Sequence, residues 1–209
     1  MSRTLLFEGT RVISNFYKSS RSLLLVPLQK SRQFDTVSLT GGIARNDPYD
    51  LERKAMDPYE EKLRTFIREY AIQAEHLSFD QSCHSLAQAA RVVNASPEYI
   101  VKNICLVDAV GNAIVVILKG EDRVCTSHVA QVLTIDQPRL ATPQEILEKT
   151  GYPCGGTPSF GYRATFLIDP RVMEKEMVFT GGGSENSLVK IAPQELLRAN
   201  AGRIVRIRK

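Results

Sequence analysis

Apolar residues recur with two different periods along most of this chain, and the switches between them mark its elements. From Asp57 the spacing is helical. Asp57 is a capping residue, Pro58 takes the first helical position and Glu60 the third, and Tyr59, Leu63, Phe66, Ile67 and Tyr70 share one face. Ser85-Leu-Ala-Gln88 is a capping box that starts a second helix, with Leu86, Ala89, Ala90 and Val93 at helical spacing. Ser96-Pro-Glu98 opens a third, short one. Strand-like apolar runs follow at residues 104–107 and 113–118, joined by the turn Asp108-Ala-Val-Gly-Asn112, which predicts a hairpin with one very apolar strand.

The same punctuation continues to the C-terminus. Residues 127–133 read as a helix, and Thr142-Pro-Gln-Glu145 is a capping box for a helix that stops at Gly151. Strands are predicted at 164–168, 176–180, 188–191 and 203–207, with a helix over 193–199. Hairpins mixed with short helices are neither a regular βαβ series nor an all-β sandwich. They predict a single α/β domain of the α+β type over residues 57–209, with a mixed β-sheet flanked by short helices.

Residues 1–55 sustain neither period. They are basic and Ser-rich, with one short apolar run, Leu23-Leu-Leu-Val-Pro-Leu28, and breaks at Thr40-Gly-Gly42 and Asn46-Asp-Pro48. Pro27 interrupts the run, the run lies late, and no small-residue cleavage site follows closely, which weakens an export signal. The basic, Ser-rich and acid-poor composition also describes an organelle transit peptide, an alternative weighed no higher than export. The expectation is a poorly ordered extension, or a start assigned too far upstream, since Met56 immediately precedes a helix start.

Composition adds bounds. The 209 residues suffice for a full core, and no uncharged apolar run is long enough to span a membrane, so a soluble, cytoplasmic protein is expected. A net charge of +4 permits contact with nucleic acid without requiring it. Cys83, Cys105, Cys125 and Cys154 form no C-x-x-C pair, so free thiols are expected. Cys125 and His128 make at most half a metal site, and no metal or cofactor is expected.

The candidate chemistry lies in a lysine and two glycine-rich loops. Lys102 sits just before an apolar strand, residues 151–161 read Gly-Tyr-Pro-Cys-Gly-Gly-Thr-Pro-Ser-Phe-Gly, and residues 180–184 read Thr-Gly-Gly-Gly-Ser. Glycines at such positions let backbone N–H groups approach a ligand that side chains would hold off, and a lysine adds a cation. That set suits a small anionic or carbonyl-bearing substrate. Alone, Lys102 is an edge charge and the second loop a hairpin turn without the Gly-Lys-Ser/Thr ending of a nucleotide-binding loop. His84, before the cap at Ser85, is a minor candidate for the pocket wall, and Cys154 is read as packing.

These residues carry a resemblance. Residues 84–102, the loop 151–161, the loop 181–184 and the helix start at 193–197 are similar to those of the YbaK/prolyl-tRNA editing-domain superfamily of aminoacyl-tRNA deacylases, a match covering nearly all of residues 57–209. The resemblance implies the curved YbaK-like sheet, and hydrolysis of the ester between a wrongly attached amino acid and the 3′ adenosine of a tRNA. Such a second sieve is needed because one methylene in an apolar pocket discriminates by only about 1–3 kcal/mol. Lys102 matches the family's functional lysine, expected to hold the substrate by charge.

Gly155 and Gly156 are expected to present N–H groups to the oxyanion. Thr157, Pro158, Ser159, Gly181, Gly182, Gly183 and Ser184, with His84, complete the expected substrate wall. Many relatives carry Pro where this chain has Ser159. With no Ser-His-Asp or Cys-His set evident, the resemblance implies water or the ribose hydroxyl as nucleophile.

Mischarged tRNA is therefore the expected partner, with an aminoacyl-tRNA synthetase as a second. Lys119, Arg123, Arg139, Lys149 and Arg163 are expected to flank the ligand end, and Arg203, Arg206, Arg208 and Lys209 to form a basic strand with one polar side. The alternatives are a non-catalytic module that binds aminoacyl-tRNA ends or a synthetase, and a binder of free nucleotide or small acyl compounds.

Overall fold

The structure is a computed structural model and describes residues 57–209. The expectation of an extension over residues 1–55 lies outside them. Fifteen segments follow in order, all but one helix or strand: α1 (Pro58–Glu69), β1 (Ala74–Ser78), α2 (Leu86–Val92), a 3-10 turn (Pro97–Tyr99), β2 (Val101–Val107), β3 (Ala113–Lys119), α3 (Thr126–Leu133), β4 (Arg139–Leu140), α4 (Pro143–Thr150), β5 (Thr165–Ile168), α5 (Pro170–Met173), β6 (Val178–Gly181), β7 (Ser187–Ile191), α6 (Pro193–Asn200) and β8 (Arg203–Ile204).

The strands form two sheets, a five-stranded mixed sheet in the order β4-β2-β3-β5-β8 and a three-stranded antiparallel sheet in the order β1-β7-β6. A parallel bridge from Ile100 to Phe179 brings the entry of β2 beside β6. The mixed α/β architecture is the one expected. Its centre is β3, antiparallel to β2 and parallel to β5. The nearly unbroken apolar run of β3 follows from burial on both faces: Val115 and Ile117 enter one core cluster, Ile114, Val116 and Leu118 the other.

Local signals in the sequence operate as chemistry predicts. The Asp57 side chain accepts from the N–H groups of Tyr59 and Glu60, and both capping boxes, at Ser85 with Gln88 and at Thr142 with Glu145, are formed. Gly151 ends α4 in the left-handed conformation at φ 70°. The face of α1 packs as expected, with Leu63 fully buried and Phe66 against Phe160.

Three differences bear on the site. The short elements β1, β4 and α5 were not predicted. Lys102 lies inside β2 rather than ahead of it. The last strand stops at Ile204, so the alternation of Arg206 and Arg208 does not describe a polar strand face. Instead Arg208 turns back to pair with Asp169, which is fully buried, while Ile207 enters the second core cluster. Tertiary burial of Ile207 and the ion pair override the local β pattern. Among the described residues no helix is long and apolar enough to cross a membrane.

Candidate functional site

The β2–β3 hairpin, the 151–161 loop, the start of α2 and the junction of β6 with its glycines meet around a cavity of about 300 Å³. Lys102, Asn103, His84, Gly155, Thr157 and Gly181 line it, together with apolar side chains from α2, β2 and β7. Five of the expected site residues, Lys102, His84, Gly155, Thr157 and Gly181, are thus brought to one cavity from four separate stretches of chain. Gly156, Pro158, Ser159, Gly182, Gly183 and Ser184 do not line it.

Lys102 is held at the cavity edge. Its Nζ donates to the carbonyl of Gly120 at 2.7 Å, across the turn that follows β3. Burial lowers its pKa from the ordinary lysine value, Asp122 opposes that shift and Arg123 adds to it. One donor is engaged with Gly120, and an ammonium carries three.

The loop backbone divides its tasks. Gly155 has φ +92°, a conformation that favours glycine, and a Cβ there would lie 2.6 Å from Nδ1 of the exposed His84 imidazole, which would have to swing aside. The Gly155 N–H has no hydrogen-bond partner among the described residues. The Gly156 N–H, in contrast, donates to Pro153 O at 3.1 Å.

The glycines of the second loop serve contact between the loops. Gly183 N–H donates to Gly156 O at 2.8 Å. A Cβ at Gly156 would lie 2.6 Å from Gly183 O, and one at Gly181 would lie 2.3 Å from Thr157 O. Backbone stacks on backbone here, and any side chain would part the loops.

Two polar residues that the sequence pattern does not assign to the site hold this stack. Asn103 reaches from β2 to donate Nδ2 to Thr157 O at 2.8 Å and to Thr180 Oγ1 at 3.1 Å, while its Oδ1 accepts from Ser159 Oγ at 2.7 Å. Ser159 is fully buried and also bonds Thr180 Oγ1 at 2.6 Å. Ser159 therefore ties the loop to β2 and β6. The signal for Asn103 in the sequence is faint: one amide in a strand that is otherwise apolar after the lysine.

Glu60 is the second. Only 6% exposed, it accepts from Ser184 Oγ at 2.6 Å and from Ser78 Oγ. Ser187 Oγ in turn accepts from the Ser184 N–H at 3.0 Å. Read from the sequence as a helix-start acid, Glu60 anchors the far end of the glycine loop. His76 adds a contact, its Nε2 lying 2.6 Å from Gly182 O, and burial is the main cause that lowers its pKa.

The remaining candidates lie elsewhere. Among Lys119, Arg123, Arg139, Lys149 and Arg163 none lines the cavity. Lys119 is 5% exposed, Arg139 pairs with Glu145, and Lys149 donates to Gly111 O. The four cysteines are free thiols, and Cys83, Cys105 and Cys154 line the cavity. Burial pushes Cys83 up to about 11 and Cys105 up to about 12, so neither thiol is a nucleophile at neutral pH. Among the described residues no group of three or more His, Cys, Asp or Glu is placed to hold a metal ion.

Comparison with known proteins bears on the family and the fold. The uncharacterized protein YwhH of Bacillus subtilis is 25% identical over 136 residues, 64% of this chain and 86% of its own length. The structure of the hypothetical protein APE2540 superposes with a TM-score of 0.66 at 26% identity, covering 71% of this chain and 99% of that one. A protein provisionally assigned as a trans-editing enzyme for prolyl tRNA synthetase superposes with a TM-score of 0.69 at 22% identity, covering 74% of this chain and 99% of that one, a likeness of fold. The aminoacyl-tRNA editing domain matches residues 80–199, which contain Lys102, both glycine loops and every side chain that lines the cavity, and with that match the chain belongs to the aminoacyl-tRNA editing-domain family.

Proposed function

We propose that this protein is a trans-acting aminoacyl-tRNA deacylase that hydrolyses the ester of mischarged tRNA. The observation that carries the reading is the convergence of Lys102, an N–H without a partner at Gly155 and the Gly181 edge on one cavity of about 300 Å³. An ester needs three things from such a site: a hold on its polar end, a donor for the oxyanion, and room for a nucleophile.

Lys102 supplies the hold. Its ammonium is fixed on Gly120 O with donors left over, and it takes the ester oxygens or the phosphate of the terminal adenosine. Gly155 supplies the donor, since its N–H is free among the described residues and its φ of +92° sets the peptide in place before substrate arrives. Preorganised donors of this kind are worth about 2.7–4 kcal/mol each in transition-state stabilisation. The part of Gly156 is to let the loops touch, and through Asn103 and Glu60 that contact keeps Gly155 at a fixed height over the cavity. His84, over Gly155, closes one side. Water or the ribose hydroxyl attacks, and the protein positions more than it activates.

The test is deacylation by the full chain of tRNAs charged with alanine, cysteine, serine, threonine or proline, beside Lys102→Ala. Release of at least one amino acid, reduced a hundredfold or more by the substitution, is the expected result. No release from any charged tRNA, with enzyme far above substrate, would refute hydrolysis and favour a module that only binds aminoacyl-tRNA ends.

A further inference from the structure

Outside the cavity, one pair of charges stands where local chemistry disfavours it. The segments 123–125 and 207–209 run antiparallel: Val124 bridges Arg208, the Cys125 N–H donates to Ile207 O at 2.7 Å, and the Lys209 N–H donates to Arg123 O at 2.9 Å. This register sets Arg123 directly opposite Lys209, on the other face of the ladder from Arg208. Arg208 turns inward to Asp169. Arg123 and Lys209 are exposed, and neither makes an ion pair or a side-chain hydrogen bond among the described residues. Like charges directly opposite one another on two strands are destabilising, and an anion held between them removes that cost.

The position of the pair gives that anion a source. Lys102 Nζ donates to Gly120 O at the cavity edge, and Arg123 follows Gly120 closely in the chain. The two acids in between are turned to Arg171, which pairs with both Asp122 and Glu121. Burial is the main cause of the lowered Lys102 pKa and the charge of Arg123 adds to it, so the two cations share one field. A cavity of about 300 Å³ takes an aminoacyl ester and at most the nucleoside that bears it. The rest of a tRNA, with a negative charge on every nucleotide, lies over the surface outside. Lys209 falls beyond residues 80–199, so the pair is not one that the family match supplies.

We propose that Arg123 and Lys209 form a clamp for RNA backbone phosphate, holding the acceptor arm of the tRNA where it leaves the cavity past Lys102. The inference rests on the deacylase reading and adds to it the surface that carries the RNA. These phosphates take no part in the reaction, so the clamp binds ground state and transition state alike and acts on KM, not on kcat. It reads no sequence. Each phosphate contact contributes about one to the slope of log affinity against log salt.

The test compares the full chain with its Arg123→Ala, Lys209→Ala double variant on two substrates, the charged tRNA cleaved fastest among those above and the same aminoacyl ester on adenosine alone. The expected result is a KM for the tRNA about tenfold higher at about 50 mM salt, with kcat and the rate on the adenosine ester within about twofold of wild type. The salt slope falls by about two, whereas Arg163→Ala, which removes an exposed cation beside the 108–112 turn, leaves it unchanged. Urea unfolding is not weakened in the double variant, since a like-charge pair is relieved. Three outcomes overturn the clamp and leave deacylation standing: charged tRNA handled within twofold of wild type, an equal loss on both substrates, or an equal loss in Arg163→Ala. If no ester is cleaved, deacylation fails, and fluorescence titration with uncharged tRNA at the same salt decides the clamp. Binding weakened about tenfold in the double variant keeps it, and unchanged or absent binding overturns it.

Discussion

Gly156→Ala tests the idea that the two glycine loops work as one backbone stack. Gly156 needs no left-handed conformation, so the substitution changes space alone. The added Cβ would lie 2.6 Å from Gly183 O and 2.7 Å from Gly183 C and Ser184 Cα, all of them backbone atoms that cannot swing away. Ordinary contact between carbons lies at about 3.5 Å or more, so the loops have to part by about 1 Å. That movement stretches the Gly183 N–H to Gly156 O bond, now 2.8 Å, beyond hydrogen-bond range.

Overpacking of about 1–3 kcal/mol plus a lost hydrogen bond of about 1 kcal/mol gives an expected destabilisation of about 2–4 kcal/mol. Because Gly155 rides on the same loop, a shift of this size should slow deacylation by about a hundredfold. Urea unfolding and deacylation are measured side by side, with Gly111→Ala as the control. Gly111 sits in the distant 108–112 turn with φ +89°, and a Cβ added there would meet nothing within 4 Å, so that variant bears backbone strain of about 1–2 kcal/mol and keeps its rate. A Gly156→Ala protein that unfolds with the wild type and hydrolyses within twofold of it would refute the stack.

Glu60→Ala leaves the Ser184 and Ser78 hydroxyls without their carboxylate acceptor, and a loss of about 2 kcal/mol in urea unfolding is expected, with a coupling of at least about 0.5 kcal/mol to Ser184→Ala in a double-mutant cycle. Glu145 is held down to about 2 by its bond to Arg139, helped by the Thr142 N–H, and Glu195 to about 2 by Arg198, helped by the Gln73 N–H. Both lie below the ordinary 4.5, so the unfolded chain binds more protons in that window. Their contribution to stability is therefore full above about pH 4.5 and lost as pH falls toward 2. Urea midpoints between pH 6 and 2 should show this slope flattened in Glu145→Gln with Glu195→Gln. Iodoacetamide should modify Cys125, whose pKa is lowered first by the Ser127 hydroxyl, and exposed Cys154 well before Cys83 and Cys105, and activity should follow Cys154 alone in time-resolved mass mapping.

Features legible in the sequence are those carried by near neighbours. Asp57, Ser85 and Thr142 were readable as caps because each cap bonds within four residues of itself. The apolar run of β3 marked a strand because its burial on both faces leaves no polar position. Lys102 and the two glycine loops were readable as a candidate site because glycine clusters and a strand-edge cation are compositional signals. What failed was also local in origin: the alternation over 203–207 promised a strand, yet the chain leaves the sheet after Ile204 so that Ile207 can be buried and Arg208 can reach Asp169.

By itself, then, the sequence determined the helix starts, the central hairpin, the family and the two loops around which any chemistry has to be built. Only the tertiary structure decided what those loops do. Asn103 meets Thr157 and Thr180 across 54 and 77 residues, and Glu60 meets Ser184 across 124, separations over which no sequence period carries information. The same holds for the glycines. Their number suggested room for a ligand; at Gly155 the missing side chain leaves room for the His84 imidazole, and at Gly156 and Gly181 for another loop's backbone. Glycine records that something comes close, and only the packed chain says whether the neighbour is a substrate or the protein itself.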